Sequence, residues 1–217
     1  FERLIAAAAP ADELTWNELR DTIAAGRTTV IVPIGGTEQS GPHLTLGKHN
    51  VRVRALAERV ARELGDALVA PVLAYVPEGG VSPPTSHMRF PGTVTVPVET
   101  FERTLESAAR SFRLHGFRDI VLIGDHGGYQ SSLTAVERRL NREWAAAPAR
   151  VHAVLQYYRA SEDAYKQALR ARGYRDDEIG IHAGLADASL ALAVDPRVVR
   201  ADRLADAPRA AGEGVPA

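Results

Sequence analysis

Apolar positions along this chain fall into two alternating patterns. In one they form short continuous runs; in the other they recur every three or four residues. The first run, residues 28–34, is β-branched (Val30, Ile31, Val32, Ile34) and ends at Gly35-Gly36, which predicts a buried strand. Runs at 68–73, 119–123 and 151–155 predict three more. Between them the helical period returns. Trp16, Leu19 and Ile23 follow the capping pair Thr15 and Glu18, and Val53, Leu56, Val60 and Leu64 mark one face of 51–64 with Arg52, Arg54, Glu58 and Arg62 on its wet side. Phe101, Leu105, Ala108, Ala109 and Phe112 follow Pro97, and Leu133, Val136, Leu140 and Trp144 stripe 131–144. A more polar helix is predicted at 160–172, and a last helix at 185–194 is apolar all round, which reads as burial. Strands alternating with helices predict an α/β fold, a three-layer α/β/α sandwich around a mostly parallel sheet.

Composition narrows the possibilities. A length of 217 residues with 45% hydrophobic and 24% charged content fits a single domain over 1–217, with a core at about 15–196 and less ordered tails, the second from Ala201 onward. Twenty-six basic against twenty-seven acidic residues give a net charge of -1, which argues against nucleic acid or an anionic membrane as partner. No apolar run approaches the roughly 20 residues that span a bilayer, so a soluble chain is expected. There is no cysteine, so any metal must be held by His, Asp or Glu. The chain begins at Phe1 with an alanine-rich stretch, which fits either trimming or a processed export signal; cytoplasmic and periplasmic placement both stay open.

The candidate chemistry sits where strands or loops meet helices. Glu38 and His49 follow the first strand, His126 follows the third, and His182 and Asp187 lie before and within the last helix. In a parallel sheet such junctions share one edge. Glu, His and Asp converging there suit a divalent cation such as zinc, manganese or iron, with metal-activated water as the chemistry. A long Gly/Pro-rich passage, 77–97, carries Ser86-His87 and Phe90-Pro91-Gly92-Thr93, and a loop of that length usually has a task. Plainer readings compete: a lone loop histidine is usually solvated, and Gly127-Gly128 is adequately explained by a tight turn. The glycine pairs also fit a phosphate cradle weakly, since neither completes a phosphate-loop pattern.

The runs Gly36-Thr37-Glu38-Gln39-Ser40-Gly41-Pro42-His43-Leu44, Phe90-Pro91-Gly92-Thr93, Gly124-Asp125-His126-Gly127-Gly128 and His182-Ala183-Gly184, with Asp187 and Ser189, together resemble the creatininase (creatinine amidohydrolase) family. The order and approximate spacing match across residues 16–195. The resemblance implies a homo-oligomer (a hexamer, by the family), a divalent metal at the C-terminal sheet edge, and hydrolysis of a cyclic or formyl amide C–N bond in a small-molecule substrate. By the same resemblance Glu38 and His126 match metal ligands and His182 matches a proton-transfer histidine. Asp187 falls where the family usually has a glutamate near the metal.

This chain departs from the family at four places. Ser40 stands where a second-metal histidine is common, His49 where a metal-bridging aspartate is usual, Asp125 replaces the asparagine before His126, and Gly128 cannot supply the carboxylate that creatininase uses nearby. Losing those groups favours one metal over two. The resulting expectation is a metal set of Glu38, His49 and His126, with Asp187 as fourth ligand or general base and His182 as catalytic partner. Creatinine itself is not the expected substrate. The alternative is a non-catalytic member that binds a small ligand or metal.

Overall fold

The computed structural model describes residues 10–180 and 182–207; the alanine-rich opening and the end of the tail lie outside the described residues. Four strands form the sheet: β1 (Thr29–Ile34), β2 (Ala67–Val69), β3 (Asp119–Gly124) and β4 (Arg150–Ala153). All pairings are parallel, in the order β2-β1-β3-β4. The helices are α1 (Trp16–Ala24), α2 (Lys48–Leu64), α3 (Val98–Leu114) and α4 (Gln130–Glu143). They are followed by α5, which joins Gln156–Arg159, a π turn Ala160–Ala164 and Tyr165–Arg170, and then by α6 (Asp176–Ile179) and α7 (Leu185–Val194). No helix among the described residues is long and apolar enough to cross a membrane.

Strand alternation sorts the core into two layers. Val30, Val32, Ile34, Ile120 and Leu122 pack with Phe101 and Leu105 of α3 and with Leu133, Val136 and Leu140 of α4. From the other face, Ile31 and Ile123 meet Val53, Ala57 and Ala61 of α2. This is the three-layer sandwich expected from the sequence. The chain moves from β1 outward to β2, then returns to place β3 on the other side of β1. That reversal opens a crevice beyond the C-terminal ends of β1 and β3, the usual ligand position in an open parallel sheet.

Some expected details differ. Helix α2 begins at Lys48, and its buried residues are Lys48, His49, Arg52, Val53, Ala57 and Ala61; Val60 and Leu64 are exposed. Arg52, expected on the wet side, is buried because two carboxylates reach it. Trp16 is 75% exposed, lying under the Arg20 guanidinium, while Leu19 and Ile23 reach the core. Helix α7 is not buried all round. Ala186 and Ala191 are covered, but Leu192 is 48% exposed, because α7 packs its neighbours along one side only. Ala201–Asp206, expected to carry little order, forms a short 3₁₀ turn.

One side chain ties the two strand ends together. The fully buried Tyr129 hydroxyl accepts from the Asp125 and His126 amides at 3.0 and 3.1 Å. It donates to the Ile34 or Gly35 carbonyl, each 2.7 Å away. Tyr129→Phe keeps the ring but removes the hydroxyl from the His126 amide and the Gly35 carbonyl, while the Asp125 amide keeps its 3.0 Å bond to the Ile34 carbonyl, so it is expected to lower unfolding free energy by about 1–3 kcal/mol in urea melts. Trp16→Ala, by contrast, should stay within about 0.5 kcal/mol of wild type; a Tyr129→Phe loss as small as that would show that the tie is unimportant.

Candidate metal centre

Local sequence explains how Glu38 is delivered. β1 ends at Gly35-Gly36, where the backbone runs against Asn50: a Cβ at Gly35 would collide with the Asn50 amide, and one at Gly36 would lie 2.8 Å from Glu78 Oε1. The Gly36 amide donates to Asn50 Oδ1 at 3.0 Å, so Asn50 braces the turn. Asn50 thus serves the backbone, while His49 beside it points into the site. Two residues past the turn, the Glu38 carboxylate is fully buried.

Histidines surround that carboxylate. Oε1 lies 2.8 Å from His49 Nε2 and 3.9 Å from His182 Nδ1. Oε2 lies 3.2 Å from His87 Nε2 and 3.4 Å from His126 Nε2. Burial alone would raise the Glu38 pKa, yet the His49 hydrogen bond and the neighbouring positive charge hold it far below the usual carboxylate range. Glu78 is also buried, and its Oε1 is 3.7 Å from His126 Nδ1. Burial first, then the Glu38 charge, pushes Glu78 up to about 9. Burial holds His126 down to about 4, and burial with the Lys48 charge does the same for His182. These imidazoles are therefore neutral at neutral pH, the form that ligates metal or accepts a proton.

A network of fixed charges supports the centre from behind. His49 Nδ1 contacts Asp125 Oδ2 at 2.7 Å, and Arg52 Nε donates to the same oxygen at 2.8 Å. Tyr157 donates to Asp125 Oδ1 at 2.8 Å. Arg52 Nη1 donates to Asp187 Oδ1 at 3.0 Å; Lys48 Nζ and the Ala183 amide donate to Asp187 Oδ2 at 2.9 and 3.0 Å. Despite burial, the Arg52 charge keeps Asp125 low, and the Lys48 and Arg52 charges keep Asp187 well below its ordinary value. Ala183 adopts a left-handed φ of 54°, a strained conformation that Asp187 helps to fix.

All five residues singled out from sequence thus meet in one region, but in different settings. Glu38 and His126 belong to a cluster with Glu78 and His87 whose donor atoms all lie within 4.8 Å of one another. His49 bridges Glu38 to Asp125, His182 stands at the edge with Nε2 on the Gln39 carbonyl at 3.0 Å, and Asp187 is engaged by Lys48 and Arg52. Sequence reading passed over Glu78 and did not give His87 a place beside the metal. The only signal was the unusual length of the loop that carries both.

The cluster fits a divalent cation. Glu38 Oε2, both Glu78 oxygens and His126 Nδ1 are buried, and apart from contact between the two carboxyls they have no hydrogen-bond partner among the described residues. Two carboxylates and two imidazoles are the donor types zinc, manganese and iron accept when no thiolate is present. Beside the cluster a cleft of about 540 Å³, including its open mouth, is lined by His87, His126, His182, Lys48 and Tyr158 among others.

Comparison with known proteins gives the family. A family model described as creatinine amidohydrolase matches residues 12–215. Creatinine amidohydrolase from Pseudomonas putida is 33% identical over 210 residues, 91% of this chain and 76% of that protein. A mycofactocin precursor peptide peptidase from Mycolicibacterium smegmatis is 37% identical over 119 residues, 52% of this chain and only 45% of its own length. A solved creatinine amidohydrolase superposes with a TM-score of 0.74 at 31% identity, covering 91% of this chain and 76% of that one. A creatininase structure described as the Mn form gives 0.71, and a mutant of Zn-Zn type gives 0.69; each is 29% identical with the same 91% and 76% coverage. With the sheet, the switch-point site and these matches in agreement, the chain belongs to the creatininase family.

Proposed function

We propose that this protein is a metal-dependent hydrolase that cleaves the C–N bond of a small cyclic or formyl amide other than creatinine. The observation that carries the reading is Glu38, a buried carboxylate with His126 and His87 on one oxygen and His49 and His182 on the other. Glu38 and His126 hold the metal. When bound, a zinc, manganese or iron ion lowers the pKa of water and polarises an amide carbonyl. The chain's own residues handle the proton. His182 gives its Nε2–H to the Gln39 carbonyl, which leaves Nδ1 as an acceptor turned toward Glu38. Nδ1 takes the proton released as the C–O bond forms and returns it to the nitrogen as the C–N bond breaks. Burial and Lys48 disfavour the imidazolium, so the proton is held weakly and passed on readily.

Asp187 works by position. Its oxygens already accept from Lys48, Arg52 and the Ala183 amide, and a carboxylate so stabilised is a poor base. It fixes the turn that aims His182. A single metal is favoured because Ser40 and Gly128 offer no ligand equivalent to the family's, while Lys48 and Arg52 already neutralise Asp125 and Asp187.

Three outcomes test this reading. After chelation, activity on a panel of lactams and formamides should vanish and return with zinc or manganese; bound metal with no turnover on any panel member would favour the binding-protein alternative. His182→Gln should lower kcat by about 10²- to 10⁴-fold while metal content, read by mass spectrometry, stays at the wild-type level; a kcat within threefold of wild type would remove the proton role. Arg52→Met should destabilise the fold by about 3–5 kcal/mol in urea melts, because Asp125 and Asp187 lose a buried partner. Wild-type stability in that variant would mean the charges are not coupled.

A further inference from the structure

We propose that Glu78 and His87 complete the metal's ligand set with Glu38 and His126, on the Oε2 side of Glu38, and that His49 stays a hydrogen-bond partner of Oε1. The inference rests on the metal-centre reading above and specifies which side of Glu38 the ion occupies.

The two oxygens of Glu38 differ in how well they are satisfied. Oε1 has a 2.8 Å bond with His49 Nε2, whose Nδ1 is in turn engaged by Asp125. Both ring nitrogens of His49 are therefore used. On the other side, Glu38 Oε2 and both oxygens of Glu78 are buried, and apart from each other they have no hydrogen-bond partner among the described residues. Unsatisfied buried carboxylate oxygens are costly unless they face a cation. The described residues supply none: the only ion-pair partners of Glu38 and Glu78 are histidines. Two carboxylates, two neutral imidazoles and one divalent ion make an electroneutral set, which suits a buried site beside the cleft that admits water and substrate.

The backbone is built to place these groups. Gly36 leaves the space that Glu78 Oε1 occupies, since a Cβ there would sit 2.8 Å from it. The Glu78 amide is fastened to Thr95 Oγ1 at 2.9 Å, and that hydroxyl donates to the Gly79 carbonyl at 3.2 Å. His87 rides on the short 3₁₀ turn Ser86–Arg89, entered through Ser86 with a left-handed φ of 49°. The Gly80 amide donates to Thr85 Oγ1 at 2.7 Å and closes the loop below that turn. A non-glycine residue in this backbone region persists only where its surroundings hold it.

The test uses the purified chain, stripped of metal and titrated with Co(II), following affinity by calorimetry and geometry by the visible absorption bands. Glu78→Gln and His87→Ala should each weaken Co(II) binding at least about tenfold and change the bands, because losing a ligand alters both. His49→Gln should retain the wild-type band positions. A wild-type spectrum and affinity in either Glu78→Gln or His87→Ala overturns the four-residue set. Loss of the bands in His49→Gln, with neither of the other two affected, places the ion on the Oε1 side. Glu38→Gln separates this failure from a deeper one: if it too binds Co(II) like wild type, the metal-centre reading itself is wrong. Circular dichroism and a thermal melt check each metal-free variant, with His87→Gln replacing His87→Ala should the latter not fold.

Discussion

The structure depends on keeping an ionised carboxylate, Glu38, where no water reaches it. Burying such a charge is costly, so it requires partners, and the partners here are themselves ionised or polar and need partners in turn. The result is an alternating series: Glu38 to His49, His49 to Asp125, Asp125 to Arg52, Arg52 to Asp187, Asp187 to Lys48. Each link offsets the desolvation of its neighbours. The series reaches from the end of β1 through the first turn of α2 to the end of β3 and the start of α7, so the charges and the fold constrain one another.

Topology makes that series possible. Because β3 returns to the opposite side of β1, the loops leaving both strands open into the same crevice, and Tyr129 locks their ends together. Helix α2 then contributes Lys48, His49 and Arg52 from a single turn. Lys48 and Arg52, four residues apart, lie on one face and grip the same Asp187. Lys48 in the first turn of α2 and Arg52 just beyond it oppose the helix dipole, and the carboxylates of Asp125 and Asp187 offset that cost.

Much of this was legible in the sequence for a physical reason. β-branched runs bounded by glycine leave few alternatives to buried strands, and the strand-end residues Glu38, His49 and His126 were identifiable because a parallel sheet sends such loops to one edge. What was not legible follows from the same logic. Periodicity treats Lys48 and Arg52 as wet, so it started α2 late and set its buried face on Leu56 and Val60 instead of Ala57 and Ala61. Only three-dimensional pairing reveals a buried charge. Glu78 and His87 sit in a passage without period, where burial depends on contacts between residues as far apart as Glu78 and Gly36. Helix α7 misled in the other direction, since composition cannot say whether an apolar side meets its own chain.

The charge balance carries the reading one step further. On the Oε1 side, Asp125 and Asp187 are matched by Arg52 and Lys48, cations that are part of the chain and cannot dissociate. On the Oε2 side, Glu38 and Glu78 have no lysine or arginine among their ion-pair partners in the described residues. Without the ion Glu78 keeps its proton, its pKa pushed up to about 9 by burial and the Glu38 charge; a divalent ion in that position would displace the proton and match both carboxylates. The position left for a dissociable ion is therefore the one where no lysine or arginine among the described residues pairs with the carboxylates.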